Sequence, residues 1–399
     1  MSLAAGRHYL AIPGPSVIPD RVLRAMMRPA PNIYTGDLVE MTHSLVPDLK
    51  AVARTGGDVA IYIANGHGVW EAALANTLRR GDEVLVLSTG HFANGWGALA
   101  EGLGARVEVM AFGPRGPVDP DRLEARLRAD TAGAIRHILV VQTDTATGVR
   151  NDIAAIRAAI DAAGHGALLH CDCIACLACD PFEMDAWGVD VMVAASQKGL
   201  MTPPGLGFVW YNARAAAARE RADAVTPYWD WRPRTDPEQY YQFFFGTAPT
   251  HHLFALREAL DMLVHEEGLD AALARHATLA RAIWAAFEVW EAPGGVAINV
   301  PDRAARSHAV TALHTGPEHG TRLRDWLTAE AGVTLGIGLG MAPPDSPDWH
   351  GFFRIGHMGH VNAHMVLGAL GAIEAGLVAL DIPHTAGGVA AAARVCAGR

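Results

Sequence analysis

Residues 189–211 read VDVMVAASQKGLMTPPGLGFVWY. The run from Val189 to Ala194 is apolar and has the length of one buried strand. Ser196-Gln197-Lys198-Gly199 follows, then the turn Pro203-Pro204-Gly205, then a second apolar run, Gly207–Tyr211. The connection has no room for a crossover helix, so the second run is expected as an antiparallel neighbour. Lys198 sits at the strand end in a stretch with no other charge. Two readings are open for it. One is a solvated loop lysine; the other is a desolvated amine of depressed pKa, able to form a Schiff base.

Working towards the N-terminus, short apolar runs alternate with Ala-rich amphipathic ones. Strands are expected at Val59–Ala64, Glu83–Ser88, Arg106–Ala111, His137–Gln142, Ala167–Asp172 and Asp190–Ala194. Helices are expected at Val69–Leu78, Asp119–Ala129 and Asp152–Ala163. This alternation predicts an α/β fold with a mainly parallel central sheet sandwiched by helices. Beyond Tyr211 the pattern changes. Tyr228–Phe245 is aromatic and irregular. Helices follow at Thr250–Val264 and Leu269–Glu288, then short strands, then helices near Gly320–Ala331 and Val361–Leu377. The expected division is an N-terminal arm (1–20), a large domain (21–265), a smaller α+β domain (266–385) and a C-terminal tail (386–399).

The 399 residues are half hydrophobic and carry a net charge of −10. That is ample for a large core. No basic stripe or zinc-finger spacing is present, which argues against nucleic acid as a partner. No apolar stretch approaches the roughly 20 residues of a membrane span. Met1–His8 has no signal-peptide core, so a cytoplasmic, reducing setting is expected. Cys171, Cys173, Cys176 and Cys179 read as small buried hydrophobes of a strand and turn, and no metal site is expected.

In an open α/β sheet, ligands collect at the carboxyl ends of the strands. Asn65-Gly66-His67-Gly68, Phe92, Thr145, Asp172 and Lys198 all fall there. Asn65-Gly66-His67 ends a strand and opens a helix, which makes either a plain connection or a phosphate cradle. Asp172 lies in an apolar strand, and a carboxylate there must be paired or do chemistry. A protonated pyridine nitrogen is one such partner. Arg354, in an apolar strand of the small domain, has either an internal carboxylate or that of a substrate to bind. A reactive lysine, a ring-nitrogen carboxylate, a phosphate cradle and a carboxylate-binding arginine make up the parts list of an amino-acid enzyme that uses pyridoxal 5'-phosphate.

With those residues in view, the chain resembles the fold-type I, class V aminotransferases of the alanine–glyoxylate / serine–glyoxylate (serine–pyruvate) group. The likeness runs from Pro13-Gly14-Pro15-Ser16 to Arg354-Ile355-Gly356-His357. It includes Thr145-Ala146-Thr147-Gly148-Val149, Ser196-Gln197-Lys198-Gly199 and Leu256-Arg257-Glu258-Ala259-Leu260. The resemblance implies that Lys198 carries the cofactor covalently and moves the substrate proton. It gives Asp172 the pyridine nitrogen, Phe92 and Ile174 the two ring faces, and Thr145 a position near the ring hydroxyl. Asn65, Gly66, His67 and Gln197 follow the phosphate-site pattern, and Thr247 matches a phosphate contact donated by a second subunit of a homodimer. Gly14, Tyr34, Arg354 and His360 are expected around the substrate, with Arg354 on its carboxylate.

Departures from the family pattern are Asn65 in place of Ser or Thr, Phe244 in place of a tyrosine, the Asn32–Gly36 stretch, and His360. Tyr240 or Tyr241 is a candidate to replace the lost tyrosine. The implied reaction is ping-pong transamination between a small amino acid, alanine or serine, and a 2-oxo acid, glyoxylate or pyruvate. Alternatives are a transaminase of aspartate, ureidoglycine or pyridoxamine, or a cysteine desulfurase or other lyase on the same fold.

Overall fold

The computed structural model describes residues 2–399. The segment read as an N-terminal arm contains β1 (Tyr9–Ala11). The segment read as the large domain follows with β2 (Asp58–Ala64), β3 (Glu83–Ser88), β4 (Arg106–Ala111), β5 (Ile135–Val141), β6 (Leu168–Asp172), β7 (Val191–Ala195) and β8 (Gly205–Tyr211). These seven form one sheet in the order β2-β8-β7-β6-β5-β3-β4. Strand β8 runs antiparallel to both neighbours, as its short connection to β7 requires, and the other pairings are parallel. Strands β6 and β7 are buried throughout, which is why they read as unbroken apolar runs.

Helices cover both faces. Asp37–Ala53, Pro120–Ala129, Ile153–Ala162 and Thr250–Leu260 contribute to one core layer. Gly66–Ala75 and His91–Gly102 contribute to the other, where Trp70 and Trp96 stack with centroids 5.9 Å apart. The aromatic segment after Tyr211 is held down by Arg234. Its buried guanidinium donates to the carbonyls of Ile61 (3.0 Å), Phe243 (3.0 Å) and Tyr228 (2.6 Å), and lies over the Tyr62 ring.

The smaller sheet contains β9 (Ala297–Ile298), β10 (Val310–His314), β11 (Val333–Ile337) and β12 (Phe352–Gly356), in the order β1-β11-β12-β10-β9. The arm therefore supplies an edge strand to the small domain, parallel to β11. Residues 386–399, read as a tail, contain a helix, Gly388–Cys396. Gly388 packs directly on the Trp290 indole at the end of helix Leu269–Trp290. The helix expected over Thr250–Val264 is α-helical to Leu260 and then widens into a π turn, Asp261–Glu267. Among the described residues no helix is long and apolar enough to cross a membrane.

Candidate active site

The register places the expected site residues along one sheet edge. Strand β8 begins beside both Asn65 and Ser196, because Ala64 pairs with Gly205 and Ala195 with Gly207. The Asn65-Gly66-His67 turn and the Ser196-Gln197-Lys198 loop therefore flank the start of the same strand. Asp172 ends the next strand along, opposite Val193.

Asn65 caps its helix, its side-chain oxygen accepting from Gly68 N at 3.1 Å. As the first two helical residues, Gly66 and His67 have N–H groups with no partner inside the helix. A Cβ on Gly66 would come within 2.8 Å of Ile174 Cδ1, so the helix start and the segment after β6 touch. The same helix supplies Trp70, whose Nε1 donates to Asp172 Oδ2 at 2.8 Å. Asp172 Oδ1 accepts from Ile174 N at 2.6 Å. Burial drives the Asp172 carboxyl up to about 7, against the pull of those two donors; Asp144 adds to the rise and Lys198 opposes it.

Lys198 lies in the loop after β7, with Ser16 fastening its backbone: Ser16 Oγ donates to Lys198 O (2.7 Å) and Ser16 N to Gln197 O (2.8 Å). Its Nζ donates to the Pro13 carbonyl. A Cβ on Gly14, which has φ +92°, would overlap the amine end of Lys198. Burial lowers the ammonium to about 8, with repulsion from Arg354 adding to it and Asp172 opposing.

Arg354 is buried on β12 and reaches across to the large domain. Its Nη1 donates to the Thr145 carbonyl at 2.8 Å and its Nε to the Ile337 carbonyl at 2.6 Å. Those bonds leave guanidinium donors to spare, and no carboxylate among the described residues forms an ion pair with it. Burial lowers it to about 10.

Two residues not singled out in the sequence organise the rest. Trp70 is one. The other is Asp144, fully buried, whose carboxylate accepts from Phe92 N (2.9 Å) and Ala146 N (2.9 Å). It ties the helix bearing the half-buried Phe92 ring to the loop bearing Thr145. Desolvation raises its carboxyl. The only signal for either in the sequence is position: Trp70 four residues past Gly66, and Asp144 three residues past the end of β5.

Gln197 keeps a buried side-chain oxygen without a hydrogen-bond partner. Thr247 and Tyr34 are exposed, Tyr34 by 81%. His360 is exposed and opens on a groove with Met262 and Glu267. Phe244 is buried core, and the Tyr240 hydroxyl is bonded to Thr42 Oγ1 at 2.9 Å.

The family model for aminotransferase class-V matches residues 63–362. The chain is 38% identical to a serine–glyoxylate aminotransferase of Methylorubrum extorquens, over 97% of this chain and 95% of that one. It is 32% identical to an L-aspartate–glyoxylate aminotransferase of Paracoccus denitrificans, over 96% and 94%. Its fold matches a ureidoglycine–glyoxylate aminotransferase from Bacillus subtilis with a TM-score of 0.87 at 25% identity, covering 99% of both chains. A buried amine and a buried carboxylate at one edge of the central sheet, faced by an arginine without an ion-pair partner from the smaller sheet, agree with that likeness: the chain belongs to the class-V aminotransferase family.

Proposed function

We propose that this protein is a pyridoxal 5'-phosphate-dependent aminotransferase running a ping-pong exchange between a small amino acid, alanine or serine, and glyoxylate, with pyruvate as a second acceptor. The observation that carries this reading is the pair Lys198 and Arg354: a buried amine of lowered pKa beside a guanidinium with no carboxylate of its own.

The residues present fit the cofactor. Asp172 has a lone pair left on each oxygen for a ring-nitrogen proton. Gly66 N and His67 N, at the positive end of a helix, suit a phosphate. The partly buried Gln197 makes no side-chain hydrogen bond through its oxygen, and its NH2 group would be the donor to that phosphate. Phe92 and Ile174 would bracket the ring, with Thr145 near its hydroxyl. When bound, pyridoxal phosphate supplies an aldehyde carbon that takes up amines and a cationic ring that draws electrons from the substrate Cα.

The chain's own residues supply the rest. Lys198 holds the cofactor and, once released, carries the proton from the substrate Cα. A pKa near 8 leaves a useful neutral fraction at physiological pH. Arg354 binds and orients the substrate carboxylate. The exposed Thr247 would complete the phosphate site of a second chain in a homodimer, and the exposed Tyr34 would stand near the substrate. With Tyr240 bonded to Thr42, Tyr241, 57% exposed, is the candidate for the hydroxyl missing at Phe244. The exposed His360 would stand at the substrate entrance. Five free cysteines fit a reducing, cytoplasmic setting.

Aspartate is the second donor to consider, because of the Paracoccus relative. The desulfurase reading needs an accessible thiol beside the substrate; Cys171, Cys173, Cys176 and Cys179 are all buried, and the partly exposed Cys396 ends the C-terminal helix Gly388–Cys396. A two-substrate screen tests the proposal: alanine, serine, aspartate and glycine against glyoxylate, pyruvate and 2-oxoglutarate, with mass spectrometry of both products. Serine or alanine with glyoxylate should turn over fastest. Pyruvate or sulfide released without an oxo acid would overturn it, and so would the absence of any active pair.

A further inference from the structure

A pocket of about 410 Å³ opens at the opposite edge of the central sheet, where β3, β5 and β6 begin. Arg79, Arg136, Arg214 and Arg221 line it, together with Asp82 and His137. Only Arg214 is committed. It pairs with the buried Asp190 at 2.9 Å and donates to the Gly166 carbonyl at 3.0 Å. The guanidiniums of Arg79, Arg136 and Arg221 have no hydrogen-bond or ion-pair partner among the described residues. Against the two carboxylates of Asp82 and Asp190, four guanidiniums leave an excess of two positive charges. The chain as a whole carries −10. Gathering unpaired cations in one concavity costs Coulomb energy unless an anion enters.

The floor of the pocket is built rather than incidental. His137 is buried, with Nε2 3.4 Å from Asp82 Oδ2 and Nδ1 3.1 Å from His170 Nε2. His170 is fully buried, and its Nδ1 has no partner. A polar file thus runs inward from the pocket under β6, the strand that ends in Asp172.

We infer that this pocket is a second binding site, for a small, multiply charged oxyanion of the phosphate type, held by the forks of Arg79, Arg136 and Arg221. Planar guanidiniums match the tetrahedral oxygens of a phosphate, and an excess of two charges suits a dianion. The site stands apart from the Lys198 edge and does not depend on which amino acid is exchanged there.

The test is calorimetric titration of the protein, saturated with pyridoxal phosphate, with inorganic pyrophosphate at constant ionic strength. Cofactor saturation keeps the Gly66–His67 turn filled. One site per chain is expected, weakened at least about tenfold in the double variant Arg136→Glu/Arg221→Glu, since each charge-assisted bond contributes on the order of 1.4 kcal/mol or more. Circular dichroism of that variant should match the parent, because both side chains are exposed. His67→Ala should bind pyrophosphate as the parent does. The inference is overturned by equal affinity in the double variant, by no saturable binding in the parent up to about 10 mM, or by loss of binding in His67→Ala. Malonate binding as tightly as pyrophosphate would overturn the phosphate assignment. Because the readout is heat of binding, failure of the proposed transamination would leave this result intact.

Discussion

The indole Nε1 of Trp70 donates to Asp172 Oδ2 at 2.8 Å, so the helix that opens at Gly66 is bonded to the end of β6 through the carboxylate itself. The donor opposes the rise in pKa that burial imposes. Trp70→Phe removes the N–H donor together with one ring of the buried indole that stacks on Trp96, so a stability measurement accompanies the kinetic one. The Asp172 carboxyl should titrate higher, and the acid limb of the pH–rate profile should move to higher pH. A loss of about ten- to a hundredfold in kcat/KM is expected, the equivalent of one charge-assisted hydrogen bond. An unmoved acid limb would show that the bond does not tune Asp172.

Lys198 titrates near 8 in the fold and near its ordinary 10.5 once unfolded. The folded cofactor-free chain therefore binds fewer protons than the unfolded one between those pH values, and its stability rises with pH across that window. Below pH 8 the full cost of burying the ammonium is present. Lys198→Met should accordingly stabilise the cofactor-free protein at pH 7 by about 1–3 kcal/mol. That advantage should shrink as pH passes from 8 to 10.5. Urea denaturation at several pH values measures both.

Arg354→Ala should raise KM for amino and oxo acids by about a hundredfold, the worth of a bidentate charged pair. Cofactor absorbance should be unchanged, because Arg354 bonds only to carbonyls within the protein. Loss of bound cofactor in this variant would count against a role on the substrate.

Gly14→Ala adds a methyl group where the Lys198 amine lies, at a backbone φ of +92° that alanine resists. Activity should fall by more than about a hundredfold while circular dichroism stays that of the parent. A fully active Gly14→Ala enzyme would mean that Lys198 does not need this approach.

Much of this architecture is legible in the sequence. Strands β6 and β7 announce themselves because both faces are covered, and β8 because two prolines and a glycine leave no room for a helix. Lys198, Asp172 and Arg354 stand out as charges in apolar runs. Trp70 and Asp144 did not. Their partners lie 102 and 52 residues away, and a tryptophan in a helix is ordinary core until its N–H has a destination. Arg234 was hidden for the same reason, since it is satisfied by backbone carbonyls that carry no sequence signal. The helix Gly388–Cys396 carries little signal in the sequence because it opens on glycines, with no side-chain cap. The π turn after Leu260 continues a helical pattern, which periodicity alone does not separate from a straight helix.

Strand β1 hydrogen-bonds to β11 of the small domain, and two residues after it ends the Pro13 carbonyl receives the Lys198 amine. Gly336 of β11 and Gly356 of β12 leave no room for side chains against this segment, at Pro13 and Ile12 respectively. The contact of the Lys198 nitrogen is thus supplied by a piece of chain that belongs, by its pairing, to the other sheet. Dissecting this enzyme into its two sheets would separate the Lys198 amine from the carbonyl that holds it, so neither half, expressed alone, would keep the proposed centre intact.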